Sequence, residues 1–254
     1  MNNAMITTDS TDKLIVELLT YISTLAAEAM KVHGRFTIGL SGGSLIDMLA
    51  KGLHHKEISE KIDWSGWQVF LVDERWVPLT SDESNYYTAK KQFLDHVNIP
   101  KDQIYAYDTT LEPMDAAKAY TKTLSRVFMT KADQWPKFDL ILLGLGEDGH
   151  IASLFPNHPL LKERSLWVSS LLDAPKLPPK RMTLTLPLIN NAYNIAFVVA
   201  GSEKSTILSL VFKHQTSQAD LPAQLVNPSE GDLRWFIDST ANTKIRIPII
   251  GTSI

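Results

Sequence analysis

The chain has 254 residues, 44% of them hydrophobic and 21% charged, with a formal net charge of −3 and no cysteine. That is enough apolar material for one large α/β domain, and the lack of thiols excludes disulfides, cysteine nucleophiles, thiolate zinc sites and iron–sulfur clusters. The slightly acidic balance gives no broad basic surface for nucleic acid, the opening MNNAMITTDSTD has neither the basic nor the apolar region of a secretion signal, and no apolar run approaches the ~20 residues of a membrane span. The expectation is a cytoplasmic protein that binds neither nucleic acid nor membrane.

Residues 1–10 read as a polar tail and residues 11–254 as a single domain. From Asp12 onward, Leu14, Leu18, Ile22, Leu25 and Ala29 recur at helical spacing, with Thr11 as the N-cap and an end near Gly34. Phe36-Thr37-Ile38-Gly39-Leu40 is a short buried-strand pattern that runs into Ser41-Gly42-Gly43-Ser44, after which Leu45, Met48 and Leu49 open a second helix. Val69-Phe70-Leu71-Val72 is an apolar strand ending in Asp73-Glu74-Arg75. Helices are predicted over 84–95 and 114–131, and a strongly apolar strand over 138–143 that ends in Gly144. Strands over 182–186 and 195–200, a helix over 203–212 and a strand at Trp235-Phe236-Ile237 complete the pattern. The stretch Ala174-Pro175-Lys176-Leu177-Pro178-Pro179 reads as a surface loop. Continuous apolar strands alternating with helices predict an α/β fold, a mostly parallel Rossmann-like sheet with helices on both faces.

In such sheets ligands bind beyond the carboxyl ends of the strands. Three predicted strand ends carry unusual polar content: Ser41-Gly42-Gly43-Ser44, Asp73-Glu74-Arg75, and the run from Gly144 to His150. Parallel strands would bring all three to one edge. The first is a glycine turn before a helix, suited to an anion through its backbone N–H groups and the helix dipole. It is not a Walker A loop, since GxxxxGK[ST] is missing. Gly144-Leu145-Gly146-Glu147-Asp148-Gly149 has the form GxGxxG, but it places two carboxylates where a pyrophosphate would sit, and Pro156 interrupts the helix that should follow. Read for its side chains, the same loop offers Glu147, Asp148 and His150 together. A neutral histidine is the natural general base for water, and a neighbouring carboxylate fixes its tautomer. Arg75 suits a carboxylate, a phosphate or a developing oxyanion. Asp73 stands beside it as a substrate-binding candidate, and Lys204 and Arg181 are candidate phosphate partners. No zinc-protease spacing of histidine and carboxylate and no GxSxG elbow occur.

These segments, together with Trp76-Val77-Pro78, Ser84-Asn85-Tyr86, Ile151-Ala152-Ser153-Leu154-Phe155-Pro156, Lys180-Arg181-Met182-Thr183-Leu184-Thr185 and Gly201-Ser202-Glu203-Lys204, resemble the 6-phosphogluconolactonase family across nearly the whole chain and in the right order. The block from Gly144 to Pro156 is the most specific of them. The resemblance implies a glucosamine-6-phosphate deaminase-like fold and hydrolysis of 6-phospho-D-glucono-1,5-lactone in the oxidative pentose phosphate pathway, with neither cofactor nor metal. It implies His150 as the base, Arg75 as an active-site cation, and the residue 41–44 turn, Lys204 and Arg181 as phosphate holders. Asp148 or Glu147 would orient His150. The expected partner is a small phosphorylated sugar lactone, and the expected assembly a monomer or weak homodimer. Two alternatives are an amino-sugar-6-phosphate deaminase/isomerase and a non-catalytic sugar-phosphate sensor. The deaminase pattern has Glu where Phe155 stands, and the segment before the first predicted strand is too short for a DNA-binding module.

Overall fold

The computed structural model describes residues 3–131, 134–213, 221–245 and 247. In chain order its elements begin with β1 (Asn3–Thr8), α1 (Thr11–His33), β2 (Phe36–Leu40), α2 (Ser44–Gly52), α3 (Lys56–Ser59), β3 (Trp67–Leu71) and β4 (Asp73–Arg75). There follow α4 (Asn85–Gln92), β5 (Ile104–Tyr105), α5 (Pro113–Phe128), β6 (Leu140–Leu143), β7 (Val168–Leu171) and β8 (Arg181–Leu184). The last are α6 (Leu186–Asn190), β9 (Asn194–Val199), α7 (Ser205–Lys213) and β10 (Asp232–Asp238). Seven strands form one sheet in the order β1-β10-β9-β6-β2-β3-β5, with every pairing parallel.

The continuous apolar strands are explained by cover on both sides. Successive side chains of a strand point to opposite faces. Leu140 and Leu142 of β6 pack with Leu14 and Leu18 of α1, Leu45 and Leu49 of α2 and Ala89 of α4, whereas Ile141 and Leu143 pack with Ala116, Tyr120 and Leu124 of α5 and Leu208 of α7. Neither face meets water, so no position in β6 tolerates a polar residue. Truncating Leu142 to alanine is expected to cost about 2–5 kcal/mol, because the rigid layers around it cannot collapse into the space.

Helix α1 shows how local chemistry sets the boundaries. Gly34 closes it at φ 73°, donating its N–H to Met30 O. Its N-cap is Ser10, not Thr11: Ser10 Oγ accepts from Lys13 N at 3.2 Å, while the Thr11 hydroxyl donates to Asp238 Oδ2 at 2.8 Å. The expectation of a polar tail over residues 1–10 is corrected for residues 3–8, which form the edge strand β1, in register from Met5↔Trp235 to Thr8↔Asp238. Its pairing is made by backbone groups along the free edge of β10, and backbone groups leave no mark on the side-chain pattern. The extension of the domain to residue 254 lies, past residue 247, outside the described residues.

A second correction concerns residues 73–75 and 181–184. Asp73-Glu74-Arg75 does not simply end β3. It leaves the parallel sheet as β4 and pairs antiparallel with β8, Arg75 lying opposite Arg181, and β7 adds to the other side of β8. The strand expected at 182–186 therefore belongs to a small antiparallel sheet, and the proline-rich loop between β7 and β8 hangs over the carboxyl edge of the large one.

Candidate active site

The turn after β2 is shaped by what surrounds it. Ser41 is buried and donates its N–H to Leu142 O at 3.2 Å, while its Oγ is buried without a hydrogen-bond partner. A Cβ on Gly42 would stand 2.0 Å from Asn85 Oδ1, so a side chain there would have to displace the Asn85 amide that donates to Asp73 O at 3.0 Å. Gly43 sits at φ 74°, in the left-handed region, and caps α2 without a side-chain hydrogen bond. The first turn of α2 thus keeps N–H groups and a positive dipole end for an outside anion.

The loop after β6 is a closed turn: Gly146 N–H donates to His150 O, and Gly149 N–H donates to Gly146 O, both at 2.9 Å. This folds His150 back over its own loop. Its Nδ1 donates to Asp148 Oδ1, and its ring lies 4.7 Å from the buried ring of Phe155. With Nδ1–H committed to the carboxylate, the lone pair of the neutral ring sits on Nε2. Of the two carboxylates that the sequence left open, Asp148 is the one that orients His150, while Glu147 is exposed. Burial works to raise the Asp148 carboxyl, but the hydrogen bond and charge of His150, with Lys176 nearby, outweigh it and hold the carboxyl well below the usual carboxylate range.

The strand end at 73–75 is tied to the start of α4 and to Ser153, three residues past His150. Asp73 Oδ2 accepts from Ser153 Oγ at 2.7 Å and its Oδ1 from Asn85 Nδ2 at 3.3 Å. Glu74 is fully buried and accepts from the backbone N–H groups of Arg75, Asn85 and Tyr86 and from the Ser84 hydroxyl. Burial raises its pKa even against those four donors, and the carboxyl serves as an internal cap for the start of α4. Arg75 donates from Nη1 to Glu83 O at 2.9 Å and has its Nε buried without a partner.

One cleft of about 210 Å³ is lined by Ser41, Gly42, Gly43, Ser44, Asp73, Arg75, Glu147, His150, Arg181 and Lys204, so it gathers the three polar strand ends and both later cations. Asp148 is not among its lining residues and reaches the site through His150. Lys204 enters from the turn Ser202–Lys204 ahead of α7. Two lining residues with polar side chains were not singled out as site residues from the sequence, Asn85 and Lys176. Asn85 lies within a quoted motif but carries no charge to draw attention. Lys176 lies in the proline-rich stretch, where an exposed lysine is ordinarily just solvated. Four cations, Arg75, Lys176, Arg181 and Lys204, face only Asp73 and Glu147 among the carboxylates of the lining, a local positive excess in a chain of net charge −3. Among the described residues, no group of three or more His, Cys, Asp or Glu side chains is placed to hold a metal ion.

The parallel α/β sheet thus carries, at its carboxyl edge, a histidine–aspartate pair beside a cation-rich cleft suited to a small anionic ligand. Residues 9–235 match the family of glucosamine-6-phosphate isomerases and 6-phosphogluconolactonases, and the chain belongs to that family. It is 43% identical over 240 residues to probable 6-phosphogluconolactonase 3, chloroplastic, of Oryza sativa subsp. indica, covering 92% of this chain and 73% of the relative. It is 39% identical over 246 residues to probable 6-phosphogluconolactonase 1 of Arabidopsis thaliana, covering 93% and 91% of the two chains. Among solved structures, 6-phosphogluconolactonase of Trypanosoma brucei superposes with a TM-score of 0.80 at 27% identity, covering 95% of this chain and 98% of that one. The Thermotoga maritima 6-phosphogluconolactonase does so with a TM-score of 0.78 at 25% identity, covering 93% and 100%.

Proposed function

We propose that this chain hydrolyses 6-phospho-D-glucono-1,5-lactone to 6-phospho-D-gluconate, the lactone step of the oxidative pentose phosphate pathway. The observation that carries the reading is the His150–Asp148 pair, whose Nδ1 is committed to the carboxylate while the ring lines a cleft holding four cations. His150 Nε2 takes a proton from water as the water oxygen bonds to the lactone carbonyl carbon. Asp148 stabilises the imidazolium that forms. Arg75 faces the tetrahedral oxyanion, a contribution typically worth ~3 kcal/mol per donor. The intermediate collapses, the bond from carbon to the ring oxygen breaks, and His150 returns its proton to that oxygen. Water is consumed, and the base ends as it began.

The phosphate is assigned to the uncapped start of α2, the residue 41–44 turn and Lys204, with Arg181 adding positive charge to the same cleft. Held there, it supplies remote binding energy that places the carbonyl before His150. Asp73, with both oxygens already engaged, serves the substrate chiefly by fixing Asn85 at the cleft wall and anchoring the buried Ser153. Phe155 is a buried apolar ring under His150, where an acid/base carboxylate would be wanted for deamination of an amino sugar. The inferred assembly is a monomer or weak homodimer, and the inferred compartment is the cytoplasm, in keeping with a chain without cysteine. Among the described residues no helix is long and apolar enough to cross a membrane.

The test is turnover of freshly generated 6-phosphogluconolactone with spontaneous hydrolysis subtracted. Rates above background that vanish with His150→Gln are the expected result. Tight lactone binding without turnover would instead make the protein a sensor.

A further inference from the structure

Residues 174–180 form neither helix nor strand, yet their backbone is held closely. Ala174 N–H donates to Pro179 O and Trp76 N–H to Lys180 O, both at 3.0 Å. Three consecutive carbonyls then converge on one guanidinium: Arg181 Nε donates to Pro178 O at 2.9 Å, and Nη2 donates to Leu177 O at 3.0 Å and to Lys176 O at 3.3 Å. Arg181 is buried, and its guanidinium carbon lies 5.6 Å from the centroid of Phe155, the ring on which His150 also rests. Burial and the neighbouring Arg75 pull the Arg181 pKa down, and Asp73 and Glu74 oppose them. A planar fork with several fixed donors can hold three carbonyls at once, which a lysine ammonium on a flexible stem cannot do in the same geometry.

The loop so held delivers one side chain to the site. Lys176 Nζ stands 3.6 Å from Asp148 Oδ1, the oxygen that accepts from His150 Nδ1. We propose that Arg181 is a positioning residue, clamping the proline-rich loop so that Lys176 shares the Asp148 carboxylate with His150. This rests on the reading of His150 as the base and deepens it, since it gives Arg181 a route to the chemistry other than contact with phosphate.

The charged groups around the imidazole are Asp148 and Glu147 on its own loop, Lys176 on the clamped loop and Arg181 across Phe155. Asp73, Arg75 and Lys204 lie around the same cleft. An ammonium on the shared carboxylate disfavours a second positive charge on the imidazole. Removing it leaves the carboxylate wholly to His150 and makes protonation easier.

The experiment is an NMR titration of the imidazole resonances in the ligand-free full-length protein, with the His150 signal assigned from its loss in His150→Gln. Lys176→Met is expected to move the His150 midpoint upward by roughly half a pH unit, as for a partly exposed charge pair. Lys176→Arg should leave it at the wild-type position. Arg181→Lys keeps the charge but opens the clamp, so it should shift the midpoint in the same direction. The double variant should move no further than Lys176→Met alone. Leu177→Gly, at an exposed side chain, loosens the loop with Arg181 intact and should act in the same direction even where Arg181→Lys does not fold. An unmoved midpoint in Lys176→Met overturns the proposal, as does one unmoved in both loop variants, or shifts that add in the double. The titration is read without substrate, so absence of lactone turnover in the wild type would count against the proposed function and leave this test standing.

Discussion

Gly146→Ala should nearly silence the enzyme while leaving it folded. A Cβ built on Gly146 would lie 2.0 Å from His150 Nδ1, 2.2 Å from its Cε1 and 2.7 Å from Asp148 Oδ1. Contacts under 3.0 Å are essentially never seen, so the imidazole must retreat by about 1 Å. The atoms in the way are the ends of two side chains, not backbone, and Gly146 is not among the glycines at positive φ, so the turn itself bears no strain. The displacement falls almost wholly on the Nδ1–Asp148 hydrogen bond and on the aim of Nε2. A misplacement of ~1 Å at a reacting group typically costs about 10²-fold in rate. The expected result is kcat lower by about that factor, KM little changed, and a melting temperature within a few degrees of wild type. Steady-state kinetics above the spontaneous background, a thermal melt and a structure of the variant measure the three quantities. A folded Gly146→Ala protein with near-normal kcat would refute the assignment of His150 and Asp148, and a collapse in stability would show that the clash is taken up by the fold.

Three other expectations follow from the same geometry. His150→Gln should lower kcat by ~10²–10⁴-fold with product binding retained, since the anion-holding groups lie elsewhere; isothermal titration with 6-phosphogluconate checks the second half. Lys204→Ala should raise KM more than it lowers kcat, and the reverse split would give Lys204 a role in the transition state. The folded Asp148 carboxyl is held below its unfolded value, so its contribution to stability is complete above the ordinary carboxylate range of about 3.9 and is lost as pH falls towards the folded value. Urea melts of wild type and Asp148→Asn should therefore converge as the pH is lowered through that window, and a gap that widens there would contradict the pairing.

How far each feature could be read from the sequence depends on whether side chains record it. The alternation in β6 is apolar at every position because helices cover both faces, and such a run is legible without coordinates. So is α1, where the apolar stripe from Leu14 to Ala29 and the stop at Gly34 are both side-chain events. The loop from Gly144 to His150 announced itself because glycines, carboxylates and a histidine were compressed into one turn after an apolar strand. Its finer logic was partly hidden: Gly146 lacks a side chain because His150 folds back onto it, which only the closed turn reveals.

What the sequence by itself determined, then, is the parallel α/β sheet, the polar strand ends and the family to which their motifs belong, since periodicity, glycine turns and clustered charges are written in residue types. Tertiary structure alone decided that residues 3–8 form an edge strand, that Asp73-Glu74-Arg75 leaves the main sheet to pair with β8, and that Asp148 rather than Glu147 holds His150. It also decided that Arg181 spends its donors on the carbonyls of residues 176–178 and brings Lys176 to the site. The physical reason is common to all four. Three rest on backbone hydrogen bonds or on contacts between residues distant along the chain, and the Asp148–His150 pair, only two residues apart, rests on the closed backbone turn that folds the imidazole back, so the local spacing of side chains encodes none of them.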